Sequence, residues 1–306
     1  MNTKMKRRKF IKKTTAGLAY ASLSGLTFQS CKTSQKHLTI LHTNDTHSQI
    51  EPFETNHHRY AGKGGVAKRA VMIEKVRKEN PNTLLLDAGD IFQGTPYFNY
   101  FGGEIEFKLM SLLKYDAATL GNHDFDNSIE GFNKQLHNAS FDFVCANYDF
   151  KNTILDTIVK PYKIFFKDGI KIGVFGLGIE LLNLVNPNLY KETEYLDPIE
   201  ITKDITRALK ENENCDLIIC LSHLGYHYRN SEKVSDLKLA AATKDIDLII
   251  GGHTHTFLAK PTLVKNLNDE NVLVNQVGAY GVNLGRVDFY LDEQNNKESG
   301  NTTIIV

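Results

Sequence analysis

The stretch LIIGGHTHTF (residues 248–257) closes a short apolar run with two glycines and then places histidines at positions 253 and 255. In an extended backbone, residues two apart project to the same side of the chain. The two imidazoles could therefore bind a metal ion together, or they could belong to a solvated loop that happens to contain two histidines. The pair alone does not discriminate between these two interpretations, so other segments of the chain are needed.

Apolar, strand-like runs end in Asp, Asn or His at five places along the chain. The five segments are LTILHTNDTH (38–47), TLLLDAGD (83–90), DAATLGNHDFD (116–126), DLIICLSHLG (216–225) and IDLIIGGHTH (246–255). Each polar residue alone has an ordinary explanation as a turn former or a helix cap. In layered α/β proteins, however, the crevice outside the carboxyl ends of the strands is where binding sites form. Five repetitions of the pattern predict a metal site.

The types of side chain restrict the metal. Carboxylate, amide and imidazole groups without a thiolate suit Zn, Mn or Fe. The candidate ligands are too numerous for one ion, whereas two ions about 3.5–4 Å apart that share one carboxylate would use them all. Cys145, Cys215 and Cys220 lie in or beside apolar runs and are expected to be buried thiols, not a disulfide framework or a zinc site.

Alternating strands and helices predict a layered α/β domain with mixed sheets. The predicted strands are 38–42, 83–87, 117–120, 141–145, 216–222, 246–250, 272–277 and 285–291, with a hairpin around Asp168–Gly169. A helix is predicted over 66–79, where apolar residues share one face and Pro81 follows the end. Weaker helical patterns cover 103–114, 129–138, 202–212 and 232–243. No repeat or low-complexity linker divides this region, which favours one domain.

The ordered set D-x-H, G-D, G-N-H-D, a later H and G-H-x-H resembles the calcineurin-like metallophosphoesterase superfamily. The segments ILHTNDTHSQI, GGVAKRA, LLLDAGDIFQGTP, GNHDFD and GGHTH are similar to its 5′-nucleotidase branch, over roughly residues 38–290. The resemblance implies a four-layer fold in which two mixed β-sheets are flanked by helices. It places a catalytic domain at residues 37–306.

The resemblance also implies roles for individual residues. One ion would be held by Asp45, His47 and His255, a second by Asn122, His223 and His253, and both by Asp90. The imidazole of His123 would stabilise the transferring phosphoryl group or protonate the leaving oxygen. Asp126 would orient His123, with Asp124 as the alternative for that role.

The implied reaction is hydrolysis of a nucleotide phosphomonoester, in which a hydroxide that bridges two divalent ions (Mn, Zn, Co or Fe) attacks in line. No Ser or Cys nucleophile follows any of the five strands. Alternatives are a 2′,3′-cyclic-nucleotide phosphodiesterase, a phosphatase of wider range, or a catalytically silent phosphate-binding subunit of a two-chain complex. Discriminating the enzymes requires a panel of substrates.

Full-length members of this branch carry a carboxy-terminal domain that stacks the nucleobase between aromatic side chains. The present sequence ends at Val306, so we expect the catalytic domain only, with a separate chain as a possible source of nucleotide recognition. The aromatic segment FQGTPYFNYFGG (92–103) could partly replace that domain. We favour the simpler interpretation that its Phe92, Tyr97, Phe98, Tyr100 and Phe101 cover the sheet edge and the mouth of the site.

The amino terminus has a different composition from the rest. Residues 1–30 contain seven basic side chains and no acidic one, which leaves 36 less seven, or 29, basic residues against 36 acidic ones and a net charge of −7 elsewhere. This net negative charge of the chain beyond residue 30 gives no support to binding of a nucleic acid polymer.

The basic run KRRKFIKK and the mildly apolar run after it predict an export signal over 1–30, because the apolar run is shorter than the roughly 20 residues of a membrane span. Arg7, Arg8 and Phe10 resemble a twin-arginine signal. Cys31 resembles the acylated cysteine of a bacterial lipoprotein, with residues 31–36 as a tether. The sequence thus predicts export to the periplasm or cell envelope, with lipid as the only membrane attachment.

Overall fold

Two six-stranded sheets form the centre of the protein in the computed structural model, which describes residues 35–229, 232–294 and 296–306. The predicted export signal, Cys31 and most of the tether lie outside the described residues. The strands in chain order are β1 (Lys36–Thr43), β2 (Thr83–Asp87), β3 (Ala117–Ala118), β4 (Asp142–Phe143), β5 (Tyr148–Asp149), β6 (Tyr162–Lys167), β7 (Ile170–Leu177), β8 (Glu194–Tyr195), β9 (Leu217–Ser222), β10 (Leu248–Gly251), β11 (Thr262–Lys265), β12 (Asn271–Asn275), β13 (Asn283–Leu291) and β14 (Lys297–Ile305).

The α-helices lie between these strands. They are α1 (Val66–Glu79), α2 (Pro96–Phe101), α3 (Glu104–Leu112), α4 (Ser128–Gln135), α5 (Pro187–Tyr190), α6 (Pro198–Arg207) and α7 (Asp236–Ala242). Short 3-10 turns cover His123–Phe125 and Leu136–Asn138, and a π-helical turn, Ala208–Asn212, continues α6. None of the helices in this described part of the chain has the length and apolar character needed to cross a bilayer.

Both large sheets are mixed, with parallel strands at the centre. The first sheet has the order β14-β13-β1-β2-β3-β4, and β1 through β4 run parallel to one another. The second has the order β11-β12-β10-β9-β7-β6, and β7, β9, β10 and β12 are parallel. Parallel strands end at the same edge of a sheet, so the loops that follow β1, β2 and β3, and those that follow β9 and β10, are each gathered at one edge.

Apolar side chains form three buried clusters, and the alternation of side chains along each strand explains them. In β1, Leu38 and Ile40 point to the cluster between the two sheets, and Leu41 points to the cluster under α1 and α3. In β9, Leu217 and Ile219 contribute to the cluster between the sheets, and their neighbours contribute to a third cluster under α7. The layers are therefore helices, sheet, sheet, helices, which confirms the predicted fold class.

Helix α1 has the predicted bounds, and Asn80 ends it one residue before Pro81. The helix predicted over 202–212 begins earlier, at Pro198, because the carboxylate of Asp197 accepts the backbone N–H groups of Ile199 and Glu200 at 2.8 and 3.0 Å. Such a cap satisfies donors that a helix start leaves unpaired. The strand predicted over 117–120 is reduced to Ala117–Ala118, since the chain turns out of the sheet toward His123.

Six elements of the described residues were not predicted: α2, β5, α5, β8, β11 and β14. The longest, β14, has the sequence KESGNTTII, whose residues are mostly exposed and mostly polar. It pairs with β13 over nine residues, from Asn283 opposite Ile305 to Leu291 opposite Lys297. This edge strand is held chiefly by backbone hydrogen bonds, so it carries little of the apolar pattern by which strands are predicted.

Candidate metal centre

The polar residues that follow β1, β2, β3, β9 and β10 meet at one place. An open cavity of about 350 Å³ lies there, lined by His47, Asp90, Gln93, Gly94, Asn122, His123, His253, His255 and Tyr280. Asp45 and His223 lie beneath it and are fully buried. The structure thus brings together all the residues predicted to ligate metal.

One group of ligand atoms comprises Asp45, His47 and His255. The Nε2 atoms of His47 and His255 are 3.0 Å apart, and Asp45 Oδ1 lies 3.3 Å from His255 Nε2 and 4.0 Å from His47 Nε2. Three donor atoms that surround one point at these separations are compatible with a single cation between them.

A second group comprises Asp90, His223 and His253. Asp90 Oδ2 lies 3.1 Å from His223 Nε2, and the Nδ1 of His253 lies 2.9 Å from Oδ1 of Asn122. Asp90 Oδ2 is also 3.9 Å from the Nε2 of His47 in the first group. Asp45 Oδ1 of the first group likewise lies 3.9 Å from the Nε2 of His223 in the second. Each of the two carboxylates therefore faces a histidine of the other group, and the bridging role of Asp90 stays a prediction.

Hydrogen bonds outside the site set the orientation of two imidazoles. The Nδ1 of His223 is 2.6 Å from the carbonyl oxygen of Ala88, and the Nδ1 of His47 is 3.3 Å from that of Phe92. A carbonyl can only accept, so each Nδ1 carries a proton and each Nε2 is the ring nitrogen that faces the site. Metal-binding histidines usually have such a partner on the far nitrogen.

The surroundings of the His223 Nε2 atom indicate whether the residues present fit a metal ion. This atom is fully buried and makes no hydrogen bond, although it faces the carboxylate of Asp90. A lone pair opposite a carboxylate in a buried site is unfavourable unless a proton or a cation lies between them. Together with the oxygen and imidazole donors and the absence of thiolate among them, this fits a divalent metal.

The two carboxylates are fixed by backbone and amide donors. Asp45 Oδ2 accepts from the side chain of Asn44 at 2.6 Å, and the backbone N–H of His253 donates to both its oxygens, at 2.9 and 3.1 Å. Asp90 Oδ1 accepts the backbone N–H of His123 at 2.8 Å, which leaves Oδ2 directed at the histidines.

Five of the seven predicted ligands have a backbone conformation that is rare for residues other than glycine. The φ angles are 49° for Asp45, 48° for His47, 55° for Asp90, 68° for His253 and 50° for His255. Each such residue costs on the order of 1–3 kcal/mol and persists only where its surroundings enforce it. The extended backbone assumed for the HxH pair is therefore wrong, and the left-handed φ at both histidines is what sends their rings into different groups.

Gly252 permits the close approach of the two sheets at this point. A Cβ atom at this position would lie 2.7 Å from His223 Nδ1 and 3.1 Å from Asp45 Oδ2. Real Cβ atoms essentially never make contacts as close as the first, so only glycine fits between these two side chains.

Burial and neighbouring charges separate the histidine pKa values. Burial lowers the pKa of His47, and burial together with the charge of His223 lowers the pKa of His253 to about 4. Burial also opposes the charging of His223, but the charge of Asp90 outweighs it and raises the pKa of His223 to about 10. At neutral pH, His47 and His253 are consequently neutral and have lone pairs available for a metal.

His123 lies at the rim of the cavity, with 36% of its side chain exposed. Its Nδ1 is 2.8 Å from Asp126 Oδ2, and this hydrogen bond raises the pKa of His123, which favours the imidazolium form.

The carboxylate of Asp124 is engaged elsewhere. It accepts the backbone N–H groups of Gly121, Asp90, Ile91 and Phe92 at 2.8–3.2 Å. Asp126, not Asp124, is thus the carboxylate in contact with His123.

Two features of the site were missed at the sequence level. Tyr280 lines the cavity after β12, whose carboxyl end is at the same edge as that of β10. The strand-end pattern extends to it, but aromatic residues were not considered as site residues there. Behind His47, the hydroxyl of Ser48 donates to the buried carboxylate of Glu106 and accepts from Thr95. No sequence pattern connects these three residues.

The aromatic segment 92–103 contributes only Gln93 and Gly94 to the cavity. Phe92 and Phe98 are buried in the helix-side core, where Phe92 stacks on Phe107 with ring centroids 4.9 Å apart. Tyr100 and Phe101 are exposed and lie with Tyr97 along a separate groove. This arrangement favours the covering role over direct contact with a substrate.

Comparisons with known proteins agree with this geometry. The family model described as calcineurin-like phosphoesterase matches residues 38–257. Snake venom 5′-nucleotidase of Crotalus adamanteus is 35% identical over 291 residues, which cover 88% of this chain and 48% of that protein. The 5′-nucleotidase of Vibrio parahaemolyticus is 35% identical over 314 residues, which cover 93% of this chain and 54% of that protein.

Among solved structures, the 5′-nucleotidase precursor of Thermus thermophilus superposes with a TM-score of 0.80 at 32% identity. The match covers 89% of this chain and 55% of that chain. The chain spans about half the length of these relatives.

Proposed function

The chain belongs to the calcineurin-like phosphoesterase family, and from that membership and the geometry of the site we propose that it is a metal-dependent phosphate ester hydrolase of the 5′-nucleotidase type. The relatives named 5′-nucleotidase support a nucleotide phosphomonoester as its substrate. The observation that carries the proposal is the pair of ligand groups on either side of Asp90, with the fully buried Nε2 of His223 facing the Asp90 carboxylate inside one of them.

In this proposal two divalent cations of the Mn, Zn, Co or Fe class would bind at the centre. Asp45, His47 and His255 would hold the first, Asn122, His223 and His253 would hold the second, and Asp90 would contribute to both. When bound, such a pair supplies Lewis acidity and a water of lowered pKa at neutral pH.

The protein's own residues act around this centre. The backbone amides that bind Asp45 and Asp90 hold the carboxylates in place before substrate arrives, which is the preorganisation that favours charge development in the transition state. The imidazolium of His123, stabilised by Asp126, supplies a proton donor at the rim of the cavity. It would donate to a phosphoryl oxygen or to the leaving alkoxide oxygen, because general acids act on poor leaving groups.

The experiment that tests the function is metal depletion and restoration with a panel of substrates. EDTA-treated protein should lose hydrolysis of AMP and recover it with Mn²⁺, Co²⁺ or Zn²⁺, with about two metal ions per chain by elemental analysis. Nucleoside 5′-monophosphates should be preferred over 2′,3′-cyclic nucleotides. Absence of turnover with all three metals, or a preference for the cyclic esters, would refute this assignment.

The location of the protein is also part of the proposal. The composition of residues 1–30 supports export, and Cys31 followed by the tether 31–36 supports a lipid anchor ahead of the catalytic domain 37–306. Replacement of Cys31 by Ser should move the protein from the membrane fraction to the soluble fraction of cells. Membrane association of the Cys31→Ser protein equal to wild type would argue against acylation.

A further inference from the structure

Tyr280 connects the metal centre to a surface loop through a row of aromatic rings. Its ring centroid lies 5.6 Å from that of His255 and 5.7 Å from that of His47. On its other side lie Phe53 at 5.8 Å and Tyr60 at 5.9 Å. We call Phe53, Tyr60 and Tyr280 the aromatic cluster; all three are half-buried.

The faces of the Tyr280 ring are not covered by a parallel ring. The planes of its four aromatic neighbours are inclined to it by 44°, 61°, 74° and 82°. Tyr60 differs, because His57 stacks on it with an interplanar angle of 11°. Within the described residues, Tyr280 is therefore the member of the aromatic cluster that lines the cavity and has no ring stacked on it.

The loop that carries Phe53 and Tyr60 is closed by backbone hydrogen bonds. The N–H of Phe53 donates to Lys63 O at 2.8 Å, and the N–H of Gly62 donates to Phe53 O at 3.1 Å. The N–H of Gly64 donates to Val306 O at 2.8 Å, which ties the loop to the end of β14. The rings behind Tyr280 are thus held in place, which reduces the entropy lost when a ligand binds.

The position of Tyr280 is linked to the metal centre through the backbone. Its φ is 61°, which is unusual for a bulky residue, and its N–H donates to the carbonyl oxygen of Asp45 at 2.7 Å. Strain of this kind persists only where the surrounding structure enforces it. The ring is therefore fixed relative to the point at which a phosphate would be cleaved.

A nucleotide bound with its phosphate at the metal centre places its base one ribose away. An aromatic face at that distance can stack with any base, because every base has a π-face. The aromatic residues Tyr97, Tyr100 and Phe101 lie along a separate groove and do not line the cavity.

We infer that Tyr280, supported by Phe53 and Tyr60, stacks on the nucleobase of the substrate and selects nucleotides over sugar phosphates. This inference rests on the proposed function, because it places the phosphate of the substrate at the metal centre.

The test compares AMP with ribose 5-phosphate, which has the same phosphate and sugar but no base. The Tyr280→Ala protein should lower the ratio of kcat/KM for AMP to that for ribose 5-phosphate by roughly 5- to 150-fold, since base–aromatic stacking contributes about 1–3 kcal/mol. Tyr280→Phe should retain the ratio, and Phe53→Ala should lower it less. A disturbance of the metals affects both substrates and cancels in the ratio.

Tyr100→Ala is the matched control, because Tyr100 is 84% exposed and lies outside the cavity. The ratio of kcat/KM for AMP to that for ribose 5-phosphate in the Tyr100→Ala protein should equal that of wild type. A wild-type ratio in Tyr280→Ala, or a lowered ratio in Tyr100→Ala alone, would overturn the inference.

A second measurement separates this inference from the proposed function. If wild-type protein hydrolyses neither ester, the proposed function fails, and saturation-transfer NMR with adenosine on the EDTA-treated protein then decides the inference. Saturation should reach the H2 and H8 protons of adenosine with wild type and be lost with Tyr280→Ala. Equal transfer in both proteins, or none with wild type, would overturn it.

Discussion

The backbone N–H of His253 donates to both carboxylate oxygens of Asp45, at 2.9 and 3.1 Å. Asp45 follows β1 of the first sheet, and His253 follows β10 of the second, so this contact joins the two sheets at the floor of the site. Each residue also belongs to a different ligand group. The separation of the two groups therefore depends on how closely the sheets approach here.

Replacement of Gly252 by Ala should disrupt this approach. The added Cβ would meet His223 Nδ1 at 2.7 Å and Asp45 Oδ2 at 3.1 Å, and it would force the two ligand groups apart. We expect metal affinity and AMP hydrolysis to fall by about 10–100-fold, as for loss of an outer contact of a metal ligand, with the circular dichroism spectrum retained. Gly300→Ala is the control, because a Cβ there meets nothing within 4 Å. Equal metal affinity in both variants would contradict this expectation.

Replacement of Asp90 by Ala should affect both ligand groups. Asp90 Oδ2 lies 3.1 Å from His223 Nε2 and 3.9 Å from His47 Nε2, one in each group. We expect fewer than one metal ion per chain by elemental analysis and at least about a hundredfold loss of turnover. The control is Asp142→Ala, which removes only an exposed ion pair with Lys163 and should have little effect on either measurement. Two metal ions retained by the Asp90→Ala protein would contradict the shared role.

The fold and the location of the site were predictable because they follow from regular patterns. Leu38 and Ile40 on one face of β1 and Leu41 on the other are all apolar, because both faces of this central strand are buried. Parallel strands end at one edge, so polar residues after such runs come together regardless of their distance along the chain. This is how His47 and His255, 208 residues apart, meet with their Nε2 atoms 3.0 Å apart.

The features that were not predicted depend on contacts between segments distant in sequence. The positive φ of His253 and His255 depends on the surrounding loops, and no local pattern indicates it. The contact between Ser48 and Glu106 joins a strand end to a helix 58 residues later. Strand β14 is held by backbone pairing with β13, which polar side chains do not reveal. The roles of the individual ligands remain predictions that the substitutions test.

The leaving group of the substrate should determine how much His123 matters. A proton donor assists a poor leaving group such as the ribose alkoxide of AMP, but p-nitrophenolate leaves without one. His123→Asn should therefore lower kcat for AMP by about 10²–10⁴-fold and kcat for p-nitrophenyl phosphate much less. Asp126→Asn, which alters the 2.8 Å contact with His123 Nδ1, should give a smaller effect of the same kind. Equal losses on both substrates at unchanged metal content would assign His123 to phosphoryl stabilisation and exclude proton donation.

Stability should fall in mild acid because of a histidine outside the site. His42 is fully buried on β1, where its Nε2 accepts from Asn275 Nδ2 of the second sheet at 2.9 Å, and burial lowers its pKa from 6.5 to about 3. Below pH 6.5 the unfolded chain gains a proton at His42 that the folded protein does not, so stability is lost as pH falls from 6.5 toward 3. One pKa unit corresponds to about 1.4 kcal/mol, which gives a loss of about 2 kcal/mol between pH 7 and pH 5.

Urea unfolding of EDTA-treated protein at the two pH values measures this contribution. His42→Gln keeps an acceptor for Asn275 but removes the titrating group, so its free energy of unfolding should fall by about 2 kcal/mol less than that of wild type. The exposed His137 provides the matched control, since His137→Gln should show the full wild-type decrease. In the comparison of the two variants, the contributions of carboxylates and other groups that titrate in the same pH range to the free energy of unfolding cancel. Parallel decreases in His42→Gln and His137→Gln would show that His42 is not the source of the acid sensitivity.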